Sequence, residues 1–512
     1  MKTVFEKIIS NTFFSFGSWI LTALTSFITA PLIIKHLGFE LYGLWATFFI
    51  YVGVLNLVDL GFGVVLIRNV AALKPEERQQ RLGPFISLAF IYYGLVFLAA
   101  SAVAYWAWQP IVNLLNIEPV FWPTARLLFR LAAVYFLVER CHLMFVAIFN
   151  GLQKMYLAAI GTSIANLGFL LGAVWMVMNS RGLVTLAWIL LANYGLVLLY
   201  DILALKRINY NGFKWVFPRV KQVKQFLSFG FQVQLTITMD QLNIQLFKLL
   251  VSTLFGLQIL AFYELAFRLV AFLQSLTKLV LPAVFPAAAE IAVRKDKERI
   301  FNLTQKGSRY LIVLTGLFYI GAIFLANDFF LFWLKQDLPL VIWAVRLLLL
   351  GYFGNTIVGI VAVVLMSAKH VGTQLRYVFL FTSFNLGFGF LLGRFFGFKP
   401  MLASLSLAAM VALPTLLSGF AVKIKALPVG FWWQNLSKVL LAAFSSGLLI
   451  YWLGLVLPPV SLATFLLKGM VFVFSYFGFL YIYRFFNAED KLVLGRLLKL
   501  ASRKKLTSQE AD

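Results

Sequence analysis

Twenty residues near the middle of the chain, "FGFQVQLTITMDQLNIQLFK" (229–248), carry four glutamines, an asparagine, an aspartate and a lysine within an otherwise apolar sequence. On a helix, at 100° per residue, Gln234, Thr238, Gln241, Gln245 and Lys248 share an arc of about 80°. Gln232, Thr236, Asp240 and Asn243 form a second polar group on roughly the opposite side. A polar stripe of this length suits the wall of a water-filled cavity. The alternative is structural: amides that bond helix to helix, each contributing about 1 kcal/mol or less. Asp240 sits mid-segment, where an ionised carboxylate in a bilayer costs about 2.5–3.5 kcal/mol, so pairing, protonation or function must account for it.

A second segment, "ARLLFRLAAVYFLVERCHLMFVAIFN" (125–150), repeats the theme in cations. Arg126, Arg130 and Arg140 fall within about 80° of one another, and Tyr135, Glu139 and His142 gather on another side. Arg126 and Arg130 have the option of snorkelling to the outer interface, whereas Arg140 lies too deep for it. Glu264 and Arg268 have the i,i+4 spacing that lets them neutralise each other. Lys278, Asp59 and Arg346 are further charges within long apolar runs, and Arg68 serves equally well as a loop-side topology charge.

Cations outnumber anions in these runs, which implies an anionic cargo. Guanidinium grips phosphate oxygens bidentately, and more strongly in a low-dielectric cavity than in water. Arg130, Arg140, Lys248, Arg268 and Arg346 are therefore the candidate cargo-binding cations, with Gln234, Thr238, Gln241 and Gln245 as cavity lining. Asp59, Asp240 and Glu264 are candidates for a coupling H⁺ or Na⁺. No other cofactor is implied. The three histidines, His36, His142 and His370, have no metal-ligand spacing, and the single Cys141 excludes an internal disulfide. No G-x-x-x-x-G-K-[ST] loop is present, so ATP does not act on this chain directly.

The elements that position these groups must be membrane helices. The 512 residues are 62% hydrophobic and 12% charged, about half the charge of a soluble domain; the mean hydropathy is +0.90. Apolar runs of 18 residues or more recur, each long enough to cross roughly 30 Å of hydrocarbon as a helix. Lipid offers the backbone no hydrogen-bond partner, so spans are helices or a closed barrel, and these runs exceed strand length. The seven-residue alternation "QVQLTIT" is embedded in a run of about 25 and reads as helix.

The pattern predicts an all-α polytopic protein of about fourteen spans: 10–34, 41–66, 84–108, 125–149, 156–178, 184–205, 226–251, 259–284, 308–330, 341–366, 376–396, 401–422, 437–457 and 463–486. Connections after even-numbered spans are basic, as in "KRINYNGFKWVFPRVKQVK" (206–224) and "RKDKER" (294–299). The positive-inside rule makes that side cytoplasmic, with both termini inside. The net charge of +25 thus belongs to membrane loops and points away from nucleic acid. The start, "MKTVFEKII", precedes an apolar run with no small-residue cleavage site and reads as an uncleaved first span. The tail, "KLVLGRLLKLASRKK" (491–505), has the composition of a basic amphipathic helix on anionic lipid or of a solvated tail.

An internal repeat organises the spans. "SFG" recurs at 15–17 and 228–230, "HLGFELYGLW" (36–45) resembles "LFGLQILAFY" (254–263), and "KPEERQQR" (74–81) is echoed by "RKDKERI" (294–300). "RLAAVYF" (130–136) matches "RLLLLGYF" (346–353), and "ANLGFLLG" (165–172) matches "NLGFGFLLG" (385–393), all at offsets of roughly 213 to 219. Six spans separate equivalent positions, so the two halves share one orientation, and cargo sites in such proteins lie between the halves. The expected domains are a six-helix lobe (1–210), a second (211–425), an appended pair (426–486) and a basic tail (487–512). Arg346 then mirrors Arg130.

The stretch "APLIIKHLGFELYGLWATFFIYVGVLNLVDLGFGVVLIRNVA" (30–71) resembles the opening spans of Wzx-type polysaccharide flippases of the multidrug/oligosaccharidyl-lipid/polysaccharide (MOP) superfamily. The shared residues are Pro31, Leu37, Gly38, Tyr42, Gly43, Asp59, Leu60, Gly61, Gly63 and Arg68. The resemblance implies alternating access around a central cationic cavity. It also implies an undecaprenyl-pyrophosphate-linked oligosaccharide as cargo, moved across a bacterial plasma membrane, with other polysaccharide-assembly membrane proteins as partners. The lipid II flippases of the superfamily carry several cations in span 1, whereas here none stands between Lys7 and Lys35. A drug/cation antiporter of the superfamily would want an acidic cavity. A polymerase or ligase would need a large outer loop, and the longest outer connection is "QPIVNLLNIEPVFWPT" (109–124).

Overall fold

The structure, a computed structural model, describes residues 4–57, 59, 61–72, 75–208, 220–457, 461–487 and 490. Among them every regular element is a helix: α1 (Val4–Asn56), α2 (Phe62–Ala72), α3 (Pro75–Trp106), α4 (Trp108–Leu114), α5 (Trp122–Gly151), α6 (Met155–Met178), α7 (Leu183–Arg207), α8 (Val220–Lys278) and α9 (Leu281–Val293). The chain continues through α10 (Lys297–Thr315), α11 (Gly321–Leu334), α12 (Pro339–Ile357), α13 (Gly359–Ser367), α14 (Val371–Phe396), α15 (Phe398–Lys423), α16 (Val429–Val456) and α17 (Leu462–Ile482). One π turn, Gly316–Ile320, joins α10 to α11. The 491–505 tail lies outside the described residues.

Twelve helical stretches are long and apolar enough to cross a membrane, and two of them are too long to cross once. Phe13–Asn56 has 44 residues and Thr238–Lys278 has 41, so each runs about 60 Å against roughly 30 Å of hydrocarbon. Each is broken by a glycine: Gly38 at φ 83°, ψ 174° and Gly256 at φ 77°, ψ −173°. That region of backbone space is essentially closed to residues with a Cβ. At Gly256 the chain doubles back, bringing Phe247 and Tyr263 together with ring centroids 5.6 Å apart. Two crossings from each long helix make fourteen among the described residues. The breaks lie 218 residues apart (256 − 38), within the offset of the sequence repeat.

Two expected spans are interrupted. The reading of 41–66 as one helix is corrected by the end of α1 at Asn56 and the start of α2 at Phe62, with Gly61 at φ 75° in the gap. The reading of 259–284 is corrected in the same way: α8 stops at Lys278, and α9 opens with Leu281 and Pro282, whose missing N–H suits a helix start. Hydropathy continues through both gaps, so apolarity alone does not reveal them.

By contacts the chain forms two compact units, 1–268 with 378–408, and 269–377 with 409–512. The repeat divides the chain by topology and the units divide it by packing, so neither division tests the other. Close approach within the first unit depends on Gly43. A Cβ there would lie 2.0 Å from the Leu257 carbonyl oxygen. The 109–124 connection folds as α4 and the 3₁₀ turn Pro119–Phe121. Trp122 Nε1 donates to the Ile117 carbonyl at 2.9 Å, and Ser252 Oγ, four residues before the Gly256 break, donates to that of Leu115 at 2.7 Å.

Candidate functional site

In the first unit, the gap between α1 and α2 places Asp59 against α3 and α5. Arg140 Nη1 donates to Asp59 Oδ2 at 3.1 Å, Arg140 Nη2 to Glu139 Oε2 at 3.1 Å, and the Tyr93 hydroxyl to Asp59 Oδ1 at 3.1 Å. Tyr135 OH reaches Glu139 Oε1 at 3.4 Å. The Arg140 side chain is 9% exposed. Asp59, Tyr93 and Arg140 edge a cavity of about 250 Å³ whose other walls are largely apolar, formed by Phe62, Leu66, Ala89 and Met144 among others. Arg140 therefore borders a cavity with its charge already held by two carboxylates.

Lys248 and Glu264 meet across the Gly256 reversal, Nζ to Oε1 at 2.6 Å, with Lys248 Nζ also 5.1 Å from the centroid of the Phe267 ring. Glu264 is thus committed to Lys248, sixteen residues away, and the i,i+4 neutralisation with Arg268 is not formed. Arg268 instead donates to the backbone oxygen of Ser26 and, at 3.0 Å, to its hydroxyl, with its guanidinium 6.0 Å from the Tyr42 ring.

On the opening segment the polar residues have unlike surroundings. Asn243 is buried and accepts from Asn385 Nδ2 at 2.8 Å, and Asn385 Oδ1 accepts from Ser404 at 2.8 Å. That face is interhelical glue. On the other, Gln241 is exposed and Thr238 half-buried. Gln245 is wedged against Gly53, where a Cβ would lie 2.4 Å from its amide carbon, and its Oε1 is buried without a hydrogen-bond partner. Asp240 is exposed. The side chain of Gln234 lies outside the described residues.

Arg126 and Arg130 lie near the 109–124 connection, over the rings of Trp108 and Tyr105 at 5.2 and 4.9 Å. Arg130 Nε and Nη2 and Arg126 Nε are buried with no acceptor. Arg346 belongs to the second unit, where its Nε donates to the Ile323 carbonyl at 3.2 Å and its guanidinium lies 5.9 Å from the Trp343 ring. It lines a cavity of about 760 Å³ together with Asp328, Asp337 and Lys468. Of the shared motif, Gly38, Gly43 and Gly61 shape the backbone and Tyr42 is buried beneath Arg268. Pro31 lies inside α1, Gly63 borders the Asp59 cavity, and Arg68 is exposed on α2.

Two side-chain pairs escape the sequence reading. His142 Nδ1 lies 2.7 Å from Asp201 Oδ2 at 4% and 0% exposure, and Lys468 Nζ lies 2.9 Å from Asp328 Oδ1. The signal was available: a lone carboxylate inside "NYGLVLLYDILAL" (193–205) demands a partner. No cluster of His, Cys, Asp or Glu among the described residues could hold a metal ion.

Fourteen crossings among the described residues define a multi-pass membrane protein. The fold is like that of solved proteins of the MOP superfamily. The lipid II flippase MurJ in an inward closed conformation is similar at TM-score 0.74 and 17% identity, over 93% of this chain and 98% of that one. An inward-facing multidrug resistance MATE transporter of the MOP superfamily is similar at 0.67 and 11%, over 78% and 95%. A MOP superfamily transporter from Pyrococcus furiosus, described with a binding pocket of reversed polarity, is similar at 0.61 and 11%, over 82% and 95%. No curated protein matches the chain. The chain belongs to the polysaccharide biosynthesis protein family, whose model matches residues 8–292.

Proposed function

We propose that the chain is a flippase that moves an undecaprenyl-pyrophosphate-linked oligosaccharide from the inner to the outer leaflet of a bacterial plasma membrane. It does so by alternating access of two lobes, 1–210 and 211–425, with both termini cytoplasmic. The observation that carries this reading is Arg130, a guanidinium with buried N–H groups that no atom of the described residues accepts. An unmet buried donor on a charged group is costly, and phosphate oxygens are its natural complement. Arg126, Arg268 and Arg346 likewise have no carboxylate within salt-bridge distance among the described residues, whereas Arg140, Lys248 and Lys468 do. The second group holds the helices; the first remains for the cargo. Membership in a polysaccharide biosynthesis family supports an oligosaccharide on the lipid, and the cation-free span between Lys7 and Lys35 separates the chain from lipid II carriers.

A coupling ion, H⁺ or Na⁺, acts in this scheme by exchanging with the pairings of Asp59 or Glu264, or at the exposed Asp240. Other membrane proteins of polysaccharide assembly are the expected partners. The test is complementation of a flippase-deficient strain with the Arg130→Ala/Arg346→Ala double variant. Surface polysaccharide should be lost while membrane insertion is retained. Wild-type polysaccharide at equal protein level would reject the cationic cavity.

A further inference from the structure

The cavity beside Arg346 has a lining that a phosphate alone does not explain. It belongs to the second unit, has a volume of about 760 Å³ and lies between two walls. One wall comes from α11, α12 and the turn that joins them, the other from α16 and α17. That volume falls among small-molecule sites, at about 300–1,000 Å³.

Its charges form two sets. Lys468 of α17 reaches across to α11, with Nζ 2.9 and 3.0 Å from the two carboxylate oxygens of Asp328. Gly454 of α16 leaves room for that ammonium, since a Cβ there would lie 3.4 Å from Nζ. The pair ties one wall to the other and cancels its own charge. Arg346 and Asp337 are the second set, and neither is ion-paired among the described residues. Arg346 commits Nε to the Ile323 carbonyl, while Nη1 and Nη2 have no acceptor among the described residues.

The rest of the polar and aromatic lining identifies the occupant. Trp343 and Tyr451 are 45% and 61% exposed, on opposite walls of the cavity, and the lining residues Asn327 and Asp337 are exposed as well. A phosphate on Arg346 would use neither ring, nor the amide, nor the carboxylate. A sugar would use all of them. The C–H face of a pyranose packs on an aromatic ring, and each hydroxyl, donor and acceptor at once, pairs with planar amide and carboxylate groups. The Arg346 guanidinium lies 5.9 Å from the Trp343 ring, so a phosphate there and a sugar here would adjoin. We propose that this cavity binds the saccharide part of the cargo, with Trp343 and Tyr451 as stacking faces and Asn327 and Asp337 as hydroxyl partners. The inference rests on the proposed transport function and deepens it: Arg346 serves the phosphate, and its neighbours take the sugar joined to it.

The experiment uses the purified full chain in lauryldimethylamine oxide, a detergent without a sugar head. Saturation-transfer NMR is measured to methyl glucoside, methyl galactoside, N-acetylglucosamine and, separately, O-phosphoethanolamine. At least one sugar should receive saturation from the protein, and O-phosphoethanolamine should not. Asn327→Leu and Tyr451→Leu, both at exposed positions, should each weaken that sugar about fivefold, the loss of one hydrogen bond or one ring contact. Should one variant fail to fold, the other carries the comparison. Equal transfer in wild type and variants overturns the site. Transfer to O-phosphoethanolamine alone points to a zwitterionic headgroup and overturns the saccharide. Absence of transfer to every sugar overturns the inference even where Arg130→Ala/Arg346→Ala loses export. Transfer that persists where that double variant exports normally upholds the sugar site and rejects only the cationic cavity.

Discussion

Lys248 Nζ and Glu264 Oε1 stand 2.6 Å apart, each eight residues from Gly256 (256 − 248 and 264 − 256). The pair closes the α8 reversal at the point where the polar stripe meets the next span. The offset of 218 puts Ala30 and Ala46, both buried, at the equivalent places in the first half. One repeat closes with small apolar residues and the other with charge. Glu264→Gln should leave a buried ammonium without its counterion and cost about 3 kcal/mol. Lys248→Leu/Glu264→Leu should recover most of that. Thermal unfolding of the three proteins in one detergent decides it, and a double variant less stable than the single would refute the assignment of the loss to an orphaned charge.

The motif glycines separate by what surrounds them. Gly43→Ala drives a Cβ into the Leu257 carbonyl, a backbone atom that cannot swing aside, and should cost about 3 kcal/mol or prevent folding. Gly63→Ala meets nothing within 4 Å and should change stability by less than about 0.5 kcal/mol. Expression and melting of the two variants make the comparison; a stable Gly63→Ala protein with lost export would give that glycine a role in transport.

The crossings were legible in the sequence because each contributes some twenty apolar residues, and the repeat was legible because Gly38 and Gly256 break their helices at matching positions. The gap at Asp59-Leu60-Gly61 was not, since Leu57 and Val58 before it, Leu60 within it and Phe62 and Val64 after it keep hydropathy high. Partner choice was hidden for a related reason. A helical wheel sees only its own helix, so Glu264 reads as the neighbour of Arg268, while the fold delivers Lys248 from the other arm. For Asn243 the wheel gave the right face, and only Asn385 and Ser404 on α14 and α15 show that this face is for bonding helices.

Asp490 makes the end of α17 sensitive to acid. Burial raises its pKa, but hydrogen bonds from Tyr310 and the Asn487 backbone, with the Arg309 charge, outweigh burial and hold it below the ordinary 3.8. A depressed folded pKa contributes stability that is complete above 3.8 and is lost as pH falls through the folded value. The clamp of Arg309 on Asp490 should therefore hold at neutral pH and give way only as pH falls below 3.8. Limited proteolysis near residues 484–490 should be slow at pH 7 in the wild type and fast in Asp490→Asn. Equal rates at pH 7 would remove Asp490 from the clamp.

Buried His142 and Asp201 should behave as one unit. His142→Ala strands a carboxylate that is 0% exposed and should cost about 3 kcal/mol. Asp201→Asn keeps an oxygen to accept from Nδ1 and should cost about 1 kcal/mol, the difference between a charged and a neutral acceptor. Melting temperatures of the two variants test the ranking, and the reverse order would mean that α5 and α7 are held by something other than this contact.

Arg130 separates the two accounts of the outer arginines. Stacked 4.9 Å from Tyr105, it has the geometry of an interfacial cation, and with Nε and Nη2 buried and unmet it has that of a ligand site. Lysine distinguishes them, because it keeps the charge and reach that snorkelling needs but loses the planar fork that grips a phosphate bidentately. If Arg130 binds pyrophosphate, Arg130→Lys should lower surface polysaccharide about tenfold, the loss of one charge-assisted hydrogen bond of roughly 1.5 kcal/mol, without lowering the melting temperature. An interfacial anchor would tolerate lysine fully in both measurements. Full export by Arg130→Lys would therefore take Arg130 out of the cargo site and leave Arg268 and Arg346 to hold the phosphates.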